Sequence, residues 1–267
     1  MPDFSSIVIL TGAGVSAESG LQTFRAADGL WEGHRVEDVA TPEAFVRDPA
    51  LVQQFYDARR ARLGEVEPNA AHVALARLDA EWPGELLIVT QNVDDLHERA
   101  GAKRLLHMHG ELMRGWCLGC GERFGWAGDM APTSVCPELS RGTRQGVSTR
   151  LDTNGFNRCP SCGATGHVRP DIVWFGEMPY DMEAIEAALM GCDLFVSIGT
   201  SGAVYPAAGF VQTAKYSGAH CIEINLEPSQ GSLFFDERRY GPAGVEVPNW
   251  VEEILAPLPS REGPGVG

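Results

Sequence analysis

Lysine is almost missing from this chain: Lys103 and Lys215 are the only two, and the other nineteen of its twenty-one cations are arginines. Codon bias accounts for that preference, and no function is read from it. Cations of either kind are in deficit, since thirty-six acidic residues leave a formal net charge of −15. An acidic surface repels phosphate backbones and anionic lipid, which argues against nucleic-acid and membrane partners and favours basic ones. Long apolar runs are missing too: none approaches the roughly 20 residues that cross a bilayer. The start MPDFSSIVIL has neither a basic leader nor a cleavage site. A cytoplasmic protein is expected.

What is present is an ordinary globular composition, 267 residues with 44% hydrophobic and 21% charged side chains. Four short β-branched runs, Ile7–Leu10, Leu86–Thr90, Leu194–Ile198 and Cys221–Ile224, read as buried strands. Each ends in a polar loop: Thr11-Gly12-Ala13-Gly14, Gln91-Asn92-Val93-Asp94, Gly199-Thr200-Ser201 and Asn225-Leu226-Glu227. Helical patterns follow at least the first two. Strand, polar loop and helix in repetition predict an α/β fold, a Rossmann-like doubly wound parallel sheet with its ligand at the carboxyl ends of the strands.

Segments 43–62 and 68–80 carry helical periodicity behind the start signals Thr41-Pro42 and Pro68-Asn69. Between His109 and Pro170 the pattern lapses into Gly, Cys, Ser, Thr and Arg, with the connection 131–158 too irregular to assign. The expected organisation is a discontinuous sheet domain (1–31, 81–112 and 170–258), a helical insertion belonging to a smaller domain (32–80), a zinc-binding module (113–169) and a frayed tail (259–267).

Four of the seven cysteines form two CxxC-Gly knuckles, Cys117/Cys120 and Cys159/Cys162. In a reducing compartment this points to a metal, and four thiolates suit one tetrahedral Zn2+ with no open position, hence a structural ion. The 38 residues between the pairs exceed ordinary ribbon spacing, so redox or unrelated thiols remain the alternative. Cys136 has no partner at CxxC spacing, and Cys192 and Cys221 suit small buried positions.

The first strand runs into Gly12-Ala13-Gly14-Val15-Ser16-Ala17, which fits G-x-G-x-x-G/A. Such a turn brings backbone close to a pyrophosphate at a helix N-terminus, although a plain glycine-rich turn has the same spelling. No ribose-binding acid ends a second strand about 20 residues on, where FRAADGLW stands instead, and this weakens a hydride-transfer dehydrogenase. Glu18 reads as a carboxylate in the first turn of the following helix.

Seven segments in order, TGAGVSAESGLQTFRAADGLW (11–31), TQNVDDLHERAG (90–101), HMHGEL (107–112), the two CxxC pairs, RPDIVWFGEMP (169–179), SIGTS (197–201) and INLEP (224–228), together resemble the sirtuins, NAD-dependent protein lysine deacylases. The bacterial class III type is the nearest in pattern, through AADGLW and a tyrosine and arginine three apart, Tyr56 and Arg59.

The resemblance implies that NAD is a co-substrate whose phosphates meet Gly12, Ala13, Gly14 and Ser16, with Phe24 and Arg25 on a cofactor loop. It implies that Gln91 contacts the ribose hydroxyls, that Asn92 is catalytic, orienting the ribose and a water, that Asp94 holds the nicotinamide amide, and that Gly199, Thr200, Ser201, Asn225, Leu226, Glu227 and Ala243 meet the adenosine side. His109 matches the general base, a role suited to an imidazole of pKa near ~6.5. His107 is expected to face the other way, and His34, His72, His97, His167 and His220 are read as structural. Val173, Trp174, Phe175 and Gly176 match the segment that pairs with an extended substrate peptide. Tyr56 and Arg59, one helical turn apart, would grip the carboxylate of a succinyl- or malonyl-lysine, with small Ala26 and Ala27 leaving room nearby. The implied reaction moves acetyl, succinyl or malonyl groups from protein or peptide lysine to ADP-ribose, releasing nicotinamide. ADP-ribosyl transfer, NAD hydrolysis, or a zinc-ribbon protein that only senses NAD are the competing readings.

Overall fold

The computed structural model describes residues 4–22, 30–31, 34–126, 128 and 157–256. Phe24, Arg25, Ala26, Ala27, Cys136, most of the connection 131–158 and the tail 259–267 lie outside the described residues.

Six parallel strands lie in the order Glu237–Tyr240, His220–Asn225, Leu194–Ile198, Ser6–Thr11, Glu85–Thr90 and Leu105–His107. The four expected runs are therefore real strands, each a residue or so longer than its apolar stretch or equal to it. Their runs are continuous rather than alternating because both faces are covered. Ile7 and Ile9 face one core with Val196, Ile198 and Ile224, beneath helices Ala70–Glu81 and Ala243–Leu255. Val8 and Leu10 face the other with Phe195 and Cys221, beneath helices Met182–Gly191 and Phe210–Tyr216. Among the described residues no helix is long and apolar enough to cross a membrane.

After Ser6–Thr11 the chain builds outward to one side of that strand, then returns to its other side with Leu194–Ile198. The strand order thus reverses between these two neighbours, and such a switch point opens a crevice at the strands' carboxyl ends.

A second body sits over that crevice. Helices Pro42–Arg47 and Pro49–Leu63 replace the single helix expected over 43–62, broken at Asp48, whose carboxylate caps the second by accepting from Leu51 N (3.0 Å). Their residues Phe45, Val52, Phe55, Tyr56 and Leu63 share a core with Leu112, Ile172 and Trp174. Helix Ala70–Glu81, grouped above with the 32–80 insertion, packs instead on the sheet through Ala71, Leu75 and Leu78. Its apolar stripe matches the sheet face, so the insertion ends before it. Strand Gly110–Cys117 pairs antiparallel with Arg123–Gly125 and Val168–Ile172 in a separate three-stranded sheet, which also takes Gly110–Leu112 away from the parallel one.

Candidate active site

The two loops at the switch point lock together backbone to backbone. Gly12 N donates to Ile198 O (2.9 Å) and Gly14 N to Gly199 O (2.7 Å). A Cβ on Gly14 would lie 2.7 Å from Gly199 Cα, and one on Gly12 2.8 Å from Thr200 Cβ. These glycines are required first by the approach of the Gly199-Thr200 loop, a reason the motif reading did not supply. Nor does a long helix follow: the turn continues as two three-residue 3₁₀ turns, Ala13–Val15 and Ala17–Ser19. Glu18 accordingly serves another helix than expected. Its carboxylate accepts from Gly244 N (2.8 Å) in the first turn of Ala243–Leu255, where a negative charge is favoured.

Loop 91–95 leaves the neighbouring strand and is tied across to the same turn. Gln91 Nε2 donates to Thr200 Oγ1 (3.1 Å), and Asn92 Nδ2 to Gly12 O and Ser16 Oγ (both 3.2 Å). Asp94 accepts from Ser16 Oγ (3.0 Å) and Leu96 N (3.2 Å), and burial pushes its carboxyl pKa up. Beneath lie two histidines that the sequence reading passed over as structural. His72 Nδ1 accepts from Asn69 N (3.3 Å), closing a capping box, so Nε2 carries the hydrogen toward Ser16 Oγ at 3.4 Å. His97 Nε2 meets Thr11 Oγ1 at 3.0 Å, and the two rings are 4.9 Å apart. Burial lowers their pKa values to about 4 and about 3, so both are neutral near pH 7. The available signal was His72 three residues after an Asn cap.

His109 Nδ1 lies 3.0 Å from Gln91 O. A carbonyl only accepts, so Nδ1 carries the hydrogen and Nε2 is the basic nitrogen. Burial, the larger effect, lowers the His109 pKa against the raising influence of that hydrogen bond. His107 does not face away. The strand ends at His107 and residues 108–109 turn, so both rings reach the 91–95 loop while Met108 between them turns into the core. His107 Nδ1 lies 3.1 Å from Asn92 O, the carbonyl next to the one held by His109.

On the opposite wall, Trp174 Nε1 donates to the Tyr56 hydroxyl (3.0 Å) and the Arg59 guanidinium stacks over Phe55, 3.1 Å from its centroid. Burial raises the Tyr56 pKa further above its ordinary value, so the phenol stays neutral. Buried Arg169 braces the segment behind them, stacked on Trp174 (3.3 Å) and bonded to Ile172 O (2.6 Å) and the Glu177 carboxylate (2.6 and 2.8 Å). Val173–Gly176 is a turn beyond the strand end rather than part of a strand. The N–H groups of Val173, Trp174 and Phe175 already donate to His109 O, Glu177 and Ala40 O, so they are not offered to a peptide.

One cavity of about 1640 Å³ joins these walls, larger than the roughly 300–1,000 Å³ of a typical small-molecule site. Every described residue assigned above to cofactor or acyl-peptide substrate lines it: Gly12, Ala13, Gly14, Ser16, Gln91, Asn92, Asp94 and His109; Gly199, Thr200, Ser201, Asn225, Leu226, Glu227 and Ala243; and Tyr56, Arg59 and Val173 through Gly176. Leu63 and Tyr205 also line it and carry no motif that marks them.

Away from the cavity, the Sγ atoms of Cys117, Cys120, Cys159 and Cys162 all lie within 4.8 Å of one another, with Cys117 to Cys162 at 3.8 Å and Cys120 to Cys159 at 3.7 Å. Tetrahedral zinc with bonds of about 2.3 Å sets sulfur edges of about 3.8 Å, so these residues fit the ion closely. All four positions are thiolate, which suits structure rather than catalysis.

Comparison with known proteins agrees with this geometry. The model of the Sir2 family matches residues 12–206. An NAD-dependent protein deacylase of Vibrio vulnificus is 54% identical over 260 residues, 97% of each chain. A Sir2 homologue solved as its NAD complex superposes with a TM-score of 0.77 at 34% identity, covering 95% of this chain and 92% of that one. A Sir2–p53 peptide–NAD+ structure gives 0.73 at 26% identity, covering 94% of each. With its motifs gathered around one cavity at the switch point and its sequence matched almost end to end, the chain belongs to the Sir2 family.

Proposed function

We infer that this protein is an NAD-dependent protein-lysine deacylase that takes acetyl, succinyl and malonyl groups from protein and peptide substrates. The observation that carries the reading is the fixed tautomer of His109: Gln91 O holds Nδ1–H, leaving Nε2 basic in the cavity lined by Gln91, Asn92 and Asp94. NAD would supply a labile glycosidic bond: nicotinamide is the leaving group, the acyl group goes to the ribose, and one water is consumed as lysine is freed. Gln91 and Asn92 position the ribose and Asp94 the nicotinamide amide. His109 Nε2 takes a proton from a ribose hydroxyl, which its lowered pKa permits at neutral pH. The glycine turn and the Gly199–Ser201 loop hold the phosphate and adenosine end, while Val173–Gly176 borders the peptide.

The acyl end falls to Tyr56 and Arg59. A neutral phenol and a guanidinium on the same cavity wall suit a terminal carboxylate. Net charge of −15 supports basic lysine-rich segments as partners, rather than nucleic acid or membrane. The free cysteines among the described residues support a reducing, cytoplasmic setting.

The test is nicotinamide release from NAD with one peptide supplied acetylated, succinylated and unmodified, the products being weighed by mass spectrometry. Release only with acylated peptide, with matching acyl loss, is expected. Release without an acyl group would make the protein an ADP-ribosyltransferase or NAD hydrolase, and binding without release a sensor.

A further inference from the structure

His107 has no part in the machinery assigned above, yet its ring is placed as carefully as that of His109. Both of its nitrogens face acceptors: Nδ1 meets Asn92 O at 3.1 Å and Nε2 meets the Glu98 carboxylate at 2.7 Å. A neutral imidazole owns one N–H and satisfies one such acceptor. Two require the imidazolium. The side chain is 9% exposed against 40% for Glu98, so the charge is held inside and its counterion at the surface.

We propose that His107, held as an imidazolium by Glu98, is a positioning residue that fixes the Gln91–Asp94 loop through the Asn92 carbonyl, and that its deprotonation sets the alkaline limit of turnover. Two rings two residues apart thus hold two consecutive carbonyls of one loop, His109 as a neutral base on Gln91 O and His107 as a cation on Asn92 O. The loop is also held by backbone, Gln91 N donating to Thr11 O (2.9 Å) and Leu112 N to Val93 O (2.8 Å), and by side chains, Gln91 to Thr200 and Asn92 to Gly12 and Ser16, so His107 adds the tether at the Asn92 carbonyl between them. Losing an N–H at His107 leaves one hydrogen for two acceptors, so the ring no longer bridges Asn92 O to Glu98 and the loop loses its anchor on helix Leu96–Ala100.

The surroundings favour the charge. Burial opposes it, but the hydrogen bond and charge of Glu98, the Asn92 carbonyl and the charge of Glu111 outweigh burial and raise the His107 pKa. Asp94 in the loop is in turn kept nearer its ionised form by His107, and His97, on the same helix as Glu98, is neutral. Because His109 must be neutral and His107 charged, activity is expected to be bell-shaped in pH, with His109 on the acid limb and His107 on the alkaline one.

The proposal rests on the deacylase reading for its kinetic consequence and on geometry alone for the charge. The experiment uses the full-length protein and Glu98→Gln, a change at a half-exposed residue outside the cavity. In the wild type, NMR should show the His107 ring carbons and the Val93 amide nitrogen, which is bonded to the Asn92 carbonyl carbon, titrating together above pH 6.5. Glu98→Gln should move both midpoints down by about one pH unit, tenfold in proton affinity. The alkaline limb of kcat/KM should move with them while the rate on the acid side of the optimum stays within about twofold, a pattern that a merely structural loss does not give. Separate midpoints for His107 and Val93, or an alkaline limb that stays in place, overturns the proposal. Absence of acyl-dependent release in the wild type would instead refute the deacylase reading, and the titration would still decide the charge and its coupling to the loop.

Discussion

The parallel sheet buries apolar side chains on both faces, from Ile7 and Val196 on one side to Val8 and Phe195 on the other. Among the described residues, the three-stranded sheet gathers Cys117, Trp126, Cys159 and Val168 into a small cluster with Phe124 packed against it, and lends Leu112 and Ile172 to the helical core. The first is stabilised by area removed from water, about 25 cal/mol per Å², and stands on its residues alone. The second shows a smaller cluster among the described residues and adds the four-cysteine site and arginine stacking, Arg123 on Trp116 and Tyr180 and Arg169 on Trp174. The cavity is lined from both sides, by the loops at the ends of the parallel strands and by Tyr56, Arg59 and Val173–Gly176 beside the three-stranded sheet.

The largest expected effect breaks the weaker partner. Chelation, or Cys159→Ser, should remove zinc and unfold the module, since structural zinc contributes on the order of 10 kcal/mol to small domains that depend on it. Circular dichroism should show the helical signal of the sheet domain surviving. A Cys159→Ser protein that still holds one zinc per chain with unchanged stability would erase the contrast between the two bodies.

Next in size is a change confined to chemistry. His109→Ala should lower kcat by about 10²–10⁴, the usual range for a lost general base, with the melting temperature near that of the wild type. Loss of NAD affinity with kcat retained would show that His109 belongs to binding instead.

A smaller effect sharpens the comparison on the acyl side. Arg59→Met removes a buried charge-assisted contact of about 1.5–3 kcal/mol, one to two decades in kcat/KM for succinyl-lysine. Acetyl-lysine has no carboxylate to lose and should fall far less. Equal losses for both would remove the clamp.

The smallest concerns how the sheet domain closes on itself. Glu18→Gln keeps the shape and deletes the charge facing Gly244 N, which should cost about 0.3–1 kcal/mol in urea unfolding, less in high salt. A salt-independent loss would point to packing rather than to the helix end.

Four of the six parallel strands and both CxxC knuckles were legible in the sequence because each is written locally, as a β-branched run or a fixed thiol spacing. The edge strands Leu105–His107 and Glu237–Tyr240 were not, being short and in the second case mostly charged. Helix Ala70–Glu81 was seen but assigned to the wrong body, since periodicity tells which face is apolar and not what covers it. Likewise Gly12 and Gly14 were found by motif, while the reason for them, the Gly199-Thr200 loop pressing on both, comes from far along the chain.

By itself the sequence determined the fold class and the family pattern, because apolar runs, glycine turns and cysteine spacing are properties of neighbours along the chain, and through its resemblance to the sirtuins it implied which residues meet in the cavity. Only the tertiary structure decided what those residues are when they meet. Which nitrogen of His109 is basic depends on Gln91 O, the neutrality of His72 and His97 on burial, and the charge of His107 on Asn92 O and Glu98. Protonation follows from desolvation and from partners brought in through space, and neither is encoded in the order of residues around a histidine.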